Sequence, residues 1–273
     1  MMIDAHQHYW NPARGDYVWM VGDAVAPIAR AIGPQDLAPH LARHGISKTV
    51  LVQAAPTVAE TDYLLGIADE TESVAKVVGW VDFESRKDLR QLQRLKNHPK
   101  FSGVRPMIQD LHDLQWMHRP DVQWAFDAVL DLDLTFDALG FPLHLDPFLR
   151  LFERYPKMRA VIDHCMKPII RDGAFEPWAS KMAVIARETH VLCKLTGLAS
   201  EAGAGWTAQS LKPYADHVLN CFGPERVMWG SDWPVLDLNG SYGSWFDAAQ
   251  VLVPETHQPK VFRETAAKFY GIE

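Results

Sequence analysis

The segment MIDAHQHYW, near the N-terminus, carries His6 and His8 on alternate positions of an apolar stretch. Side chains two apart on a β-strand share one face, about 6.6 Å apart along the strand. Two neutral imidazoles on one face can hold a divalent ion from one side. They can equally be hydrogen-bonded core histidines, and the pair alone does not decide. Two later segments carry matching chemistry: VIDHCMKP ends a short apolar run in His164, and MWGSDWP ends another in Asp232. A carboxylate beside imidazoles can ligate a metal, orient a water or take its proton. The plainer alternatives are a helix N-cap for Asp232 and a backbone-satisfied buried histidine for His164. Two cations stand near the ends of similar runs, Arg105 in SGVRPMI and Lys194 in HVLCKLTGL. Either can polarise a carbonyl or steady a carboxylate as it forms. A surface charge or a structural ion pair is the ordinary alternative for both.

These residues act together only if the chain brings the ends of distant strands to one place. Eight short apolar runs recur, near 2–10, 48–56, 75–83, 102–108, 132–139, 159–165, 190–198 and 225–234. Most end in a polar residue, Gly or Pro, as buried parallel strands do. Helical patterns lie between them. QDLAPHLARHG spaces Leu37 and Leu41 four apart, and RKDLRQLQRLKN spaces Leu89, Leu92 and Leu95 three apart. DVQWAFDAVLDL and EPWASKMAVIARETH continue the alternation. Strand then helix, repeated about eight times, predicts an α/β fold, a (β/α)8 TIM barrel forming a single domain over residues 1–273. A doubly wound open sheet would want a Gly-rich turn after its first strand, and HQHYWNPARG offers none. In a barrel the C-terminal strand ends form the active face, and closure sets the eighth strand beside the first. Asp232 is then expected next to His6 and His8.

Composition narrows the partners. Among 273 residues, 27 are Lys or Arg and 34 are Asp or Glu, a formal charge of −7. This mild acidity argues against nucleic acid or an anionic membrane as a partner and leaves a small molecule. No apolar run approaches the ~18 residues of a membrane helix. The N-terminus lacks the basic start and apolar run of a signal peptide. Cys165, Cys193 and Cys221 are too scattered for a disulfide framework and are expected as reduced thiols of a cytoplasmic protein. A homo-oligomer is left open. Two stretches without a clean period, residues 11–36 and the segment after Asp232, read as loops over the mouth. Trp19 (with Tyr17 and Met20) in the first, and Tyr242 and Trp245 in the second, are candidates to pack on a small ring. Packing beneath the loops is the equal alternative. Trp80, Trp116 and Trp124 are expected in the core, and His112 and His118 are given no ligand role.

The ordered set MIDAHQHYW, GVRP, DHCMKP, KLTGL and MWGSDWP resembles the amidohydrolase superfamily. Within it, the set is similar to the branch of sugar-lactone hydrolases that includes L-fuconolactonases and L-rhamnonolactonases. The resemblance runs from Ile3 to at least Pro234. It implies a barrel that opens an ester or amide ring with water, and it carries metal or water-positioning roles onto His6, His8, His164 and Asp232. Binuclear members of the superfamily bridge two ions with a lysine or glutamate from the fourth strand. Here Arg105 holds that neighbourhood, and a guanidinium has no lone pair to give. The late-strand histidine of many members is replaced by CKLTGL. Two ions are therefore unsupported; the expectation is one divalent ion, zinc first, on His6 and His8 or, without an ion, polarisation of the carbonyl by His164 and a nearby cation. The implied reaction is hydrolysis of a sugar-acid lactone, L-fuconolactone-like, in breakdown of L-fucose or a related sugar. Asp232 is expected as general base, with His164 beside it and Arg105 and Lys194 as substrate-facing cations. Decarboxylation of an unsaturated or aromatic acid, and a non-catalytic sugar-binding barrel, are the alternatives.

Overall fold

Eight short Val-, Ile- and Leu-rich strands, buried from both sides, build the centre of the structure. The computed structural model describes residues 1–273. The chain runs β1 (Met2–Gln7), α1 (Pro34–His44), β2 (Ile46–Val52), α2 (Val58–Glu70), β3 (Val74–Gly79), α3 (Leu89–Lys96), β4 (Phe101–Val104) and α4 (Gln123–Asp131). It continues through β5 (Thr135–Ala138), α5 (Leu145–Arg154), β6 (Arg159–Ile162), α6 (Trp178–Glu188), β7 (Leu192–Leu195), α7 (Leu198–Ala202), α8 (Ala208–Phe222) and β8 (Val227–Trp229). It ends in α9 (Tyr242–Leu252), a π-helical turn (Lys260–Glu264) and α10 (Thr265–Tyr270).

All neighbouring strands pair in parallel, in the order β1 to β8. The ring closes just beyond β8. Asp232 N–H donates to His6 O at 2.8 Å, His8 N–H donates to Trp233 O at 2.8 Å, and Gln7 bridges Trp233. The expected (β/α)8 barrel is thus observed, and closure brings the two ends of the sequence together as its pattern implies.

The apolar residues divide into two layers. A large cluster lies between the strands and the surrounding helices. A smaller one fills the barrel interior, where Ile3, Ala5, Val50, Val52, Val78, Val161 and Met228 meet Ala266, Phe269 and Tyr270 of α10. Arg159, the first residue of β6, donates to Phe269 O, so α10 covers the N-terminal ends of the strands. The opposite, C-terminal end is left for the site. The β1–β2 register slips between Asp4 and Gln7, and such a bulge re-aims side chains. Ile3 and Ala5 therefore face the apolar interior, while His6 and His8 also turn inward, at the mouth.

One expected loop is a helix. Ser241 Oγ accepts from Ser244 N–H at 3.2 Å and caps α9. Tyr242, Trp245, Phe246 and Ala249 follow at helical spacing and are buried against the barrel. Trp116 lies in the core and Trp124 packs against it, while Trp80 is half-buried.

Candidate active site

Four strand ends deliver the polar residues of the mouth. β1 supplies His6 and His8, both buried. The segment after β8 supplies Asp232 at φ +59°, a left-handed conformation. Gly230 lets that segment pass His6, because a β-carbon there would lie 2.8 Å from His6 Cβ. Beyond β6, His164, Cys165, Met166 and Lys167 form a left-handed turn, with φ of +53°, +50°, +58° and +50°. Each such non-glycine residue costs about 1–2 kcal/mol, so the surroundings must hold the turn in place. Trp178 Nε1 donates to Cys165 O at 2.7 Å, Cys165 Sγ donates to Lys194 O at 3.3 Å, and Met166 is buried. The turn carries His164 and Lys167 to the same cavity.

The imidazoles and the carboxylate converge. His6 Nε2 lies 3.2 Å from His8 Nε2, His8 Nε2 lies 3.4 Å from Asp232 Oδ1, and His6 Nε2 lies 3.8 Å from the same oxygen. His164 Nε2 stands 3.9 Å from Asp232 Oδ1, and its Nδ1 is 2.6 Å from Thr196 Oγ1. His8 Nδ1 donates to Val52 O at 2.7 Å, so its Nε2 presents a lone pair toward Asp232. Burial lowers all three histidines, His164 to about 4 and His6 well below its ordinary value. Burial alone would raise the Asp232 carboxyl, but His164, His8 and His6 around it outweigh burial and hold it below the usual carboxylate range. At neutral pH the site is an ionised carboxylate facing unprotonated imidazoles.

That donor set fits one divalent ion. Bonds of about 2.0–2.1 Å in a tetrahedral site separate neighbouring ligand atoms by ~3.4 Å. His6, His8 and Asp232 have that spacing and leave a fourth position open. A second group, His6, Asp163 and His164, shares His6 with the first. Its carboxylate is already engaged by Arg105 at 3.3 Å and Lys194 at 3.1 Å, so a second ion has no separate ligand set.

A cavity of about 230 Å³ lies over this cluster, with His8, His164, Asp232 and Arg105 in its walls. It is smaller than the ~300–1,000 Å³ of drug-sized sites and suits one small ring. Trp19 borders it; its Nε1 donates to Ala54 O at 2.8 Å and its ring meets Trp10 edge-on at 5.4 Å. Arg105 also lines it, donating to Gln53 O and Asp163.

Three expected substrate contacts lie elsewhere. Tyr242 and Trp245 are buried on α9, outside the cavity. The Tyr242 hydroxyl donates to Asp4 Oδ2 at 3.1 Å and Trp245 Nε1 donates to Gly230 O at 2.9 Å. Lys194 is fully buried beneath His6, paired with Asp137 at 2.5 Å, because its position on β7 points it into the barrel. The second cation of the cavity is instead Lys167, held by Gln109 Oε1 at 2.5 Å and lying 5.1 Å over the Phe141 ring. Lys167 stands three residues after His164 in DHCMKP, but four consecutive left-handed residues without glycine give no sequence signal. Trp10, which also lines the cavity, is absent from the expected set, although it continues the alternation of His6 and His8. His112 is exposed, and His118 Nε2 donates to Pro147 O at 3.1 Å.

Comparison with known proteins agrees with this geometry. The amidohydrolase family model matches residues 3–272. The chain is 44% identical to an L-fucono-1,5-lactonase of Burkholderia ambifaria, over 99% of this chain and 96% of that protein. It is 31% identical to an L-fucono-1,5-lactonase of Burkholderia multivorans, over 89% and 85% of the two chains. A crystal structure of an amidohydrolase from Burkholderia multivorans with bound zinc superposes with a TM-score of 0.91 at 30% identity, covering 100% of both chains. A barrel whose first strand, sixth-strand turn and closing segment converge on one His–Asp cluster, matched along almost its whole length, belongs to the amidohydrolase family.

Proposed function

We propose that this protein is a lactonase that opens a six-membered sugar-acid lactone of the L-fucono-1,5-lactone kind to the free aldonic acid. The observation that carries this reading is the 44% identity, over nearly the full chain, to a lactonase of that name. The residues supply the chemistry. Asp232, ionised and walled by imidazoles, takes a proton from a water as the water oxygen bonds to the carbonyl carbon. Arg105 and Lys167, cations on the cavity wall, stabilise the charge that moves onto the carbonyl oxygen. The ring C–O bond then breaks, and the proton on Asp232 passes to the departing ring oxygen. His164, fixed by Thr196, orients the water beside Asp232. His6, His8 and Asp232 would hold a divalent ion, zinc first, which when bound acts as a Lewis acid on an oxygen of the reactants. Trp19, on the cavity wall, offers aromatic surface to the ring, with Trp10 packed against it.

The alternatives draw no support. An acidic decarboxylase substrate would want several arginines, and Arg105 is the one arginine lining the cavity. A non-catalytic binder has no use for a buried, ionised carboxylate ringed by histidines. Three free cysteines fit a role in cytoplasmic sugar breakdown, and no helix is long and apolar enough to cross a membrane. The test is a panel of sugar-acid lactones followed by acid release with a pH indicator, with and without a chelator. Turnover of L-fucono-1,5-lactone is expected. No acid release from any lactone, with carbon dioxide released from an aromatic acid, overturns the reading.

A further inference from the structure

We infer that Lys194 is a positioning residue that holds His6 in the tautomer protonated on Nε2, and thereby restrains cation binding at that nitrogen. Lys194 is fully buried inside the barrel, where an ammonium has donors only. Its Nζ meets three acceptors: Asp137 Oδ2 at 2.5 Å, Asp163 Oδ1 at 3.1 Å and His6 Nδ1 at 3.1 Å. A nitrogen that accepts from an ammonium carries no proton, so the proton of neutral His6 sits on Nε2. The far side of the ring requires the same arrangement. His8 Nδ1, 2.7 Å from Val52 O, must donate, which makes His8 Nε2 an acceptor. With no ion between them, the 3.2 Å contact from His6 Nε2 is filled by a proton on that nitrogen.

Two contacts favour the opposite tautomer, and both are longer. Arg105 Nη1 lies 3.3 Å from His6 Nε2, and Asp163 Oδ1 lies 3.4 Å from His6 Nδ1. Arg105 Nη1 has another acceptor, Asp163 Oδ2, at 3.3 Å. The contacts at 2.7, 3.1 and 3.2 Å thus all belong to one tautomer. The brace extends to the C-terminus. The Tyr270 hydroxyl, on α10, donates to Asp137 Oδ2 at 3.0 Å and fixes the partner of Lys194 from the barrel floor.

The consequence concerns the ion. Ligation by His6 uses the Nε2 lone pair, so the Nε2 proton must go, and Nδ1 must carry one if the ring stays neutral. Lys194 opposes that through its own proton and through its charge. Without it, His6 Nδ1–H is free to donate to Asp163, the arrangement that favours a metal-bound imidazole.

The first test uses the unaltered protein, 15N-labelled and freed of metal by chelation. Histidine side-chain 15N–1H correlation spectra are recorded, with the His6 signals assigned by difference against His6→Gln. A signal pattern of protonated Nε2 and bare Nδ1 is expected, and a protonated Nδ1 overturns the inference. The second test titrates zinc into Lys194→Met, followed by calorimetry. Affinity about ten- to hundredfold above the unaltered protein is expected, the scale of outer contacts in metal sites. Equal or weaker affinity, or no binding by either protein, overturns it. Because Lys194→Met leaves Asp137 unpaired in the interior, the Lys194→Met/Asp137→Asn variant, which removes both charges, is titrated alongside. If neither variant folds, the spectra of the unaltered protein decide.

Discussion

Gly197 lies behind His164 at φ +73°, and a β-carbon there would stand 2.7 Å from His164 Cβ and 2.8 Å from its Nδ1. Gly197→Ala therefore carries two costs. A left-handed alanine costs about 1–2 kcal/mol. The overlap is relieved only by moving the His164 ring or the loop, and overpacking of this kind costs about 1–3 kcal/mol. The ring cannot move without breaking its 2.6 Å contact with Thr196. Gly205 provides the control, since it has φ +82° and nothing within 4 Å of the added carbon. Gly205→Ala should lose about 1–2 kcal/mol in urea unfolding, and Gly197→Ala about 2–5 kcal/mol. Lactone hydrolysis should separate the two further. A displacement near 1 Å at a catalytic group costs roughly 100-fold, so kcat/KM should fall by about that factor in Gly197→Ala and hold in Gly205→Ala. Equal stability of the two variants, or a Gly197→Ala enzyme within about twofold of the parent, would refute the placement of His164.

Trp19→Ala should raise KM about tenfold with a smaller change in kcat, since Trp19 borders the cavity with its one polar atom spent on Ala54 O; steady-state kinetics on L-fucono-1,5-lactone checks this. Tyr242→Phe should do the reverse, lowering stability by about 1–2 kcal/mol through the lost bond to buried Asp4 while leaving KM unchanged, as urea unfolding and kinetics will show. Burial pushes the Glu60 carboxyl up from 4.5 to about 7, against the opposing N–H bonds of Ala55 and Ala54. The folded state then holds this proton more tightly than the unfolded chain. The stabilisation is full below the unfolded value and fades as pH rises toward 7, by about 3 kcal/mol in all. Unfolding free energies measured from pH 4.5 to 8 against Glu60→Gln, which does not titrate, should diverge by that amount; a pH-independent difference would refute it.

Much of this architecture is legible from short-range pattern. Each of the eight apolar runs contains or overlaps a strand, because buried parallel strands need little beyond β-branched and apolar residues. Closure follows from the strand count, and with it the meeting of Asp232 with His6 and His8. What the sequence conceals is orientation. Lys194 and Lys167 both stand near strand ends, yet one points into the barrel and the other rides a left-handed turn into the cavity. No local propensity reports such a turn. Tyr242 and Trp245 read as loop residues from the sequence because the stretch after Asp232 shows no clean period across its full length. The spacing of Tyr242, Trp245, Phe246 and Ala249 was the better guide, and it marks a helix that packs these aromatics beneath the site.

The central claim is that Asp232 moves the proton of the attacking water. The most direct measurement is kcat/KM for L-fucono-1,5-lactone in Asp232→Asn, with the thermal transition recorded on the same preparation. A loss of about 10²–10⁴-fold with the fold intact is expected of a general base. A folded Asp232→Asn protein that keeps activity within about tenfold of the parent would contradict it.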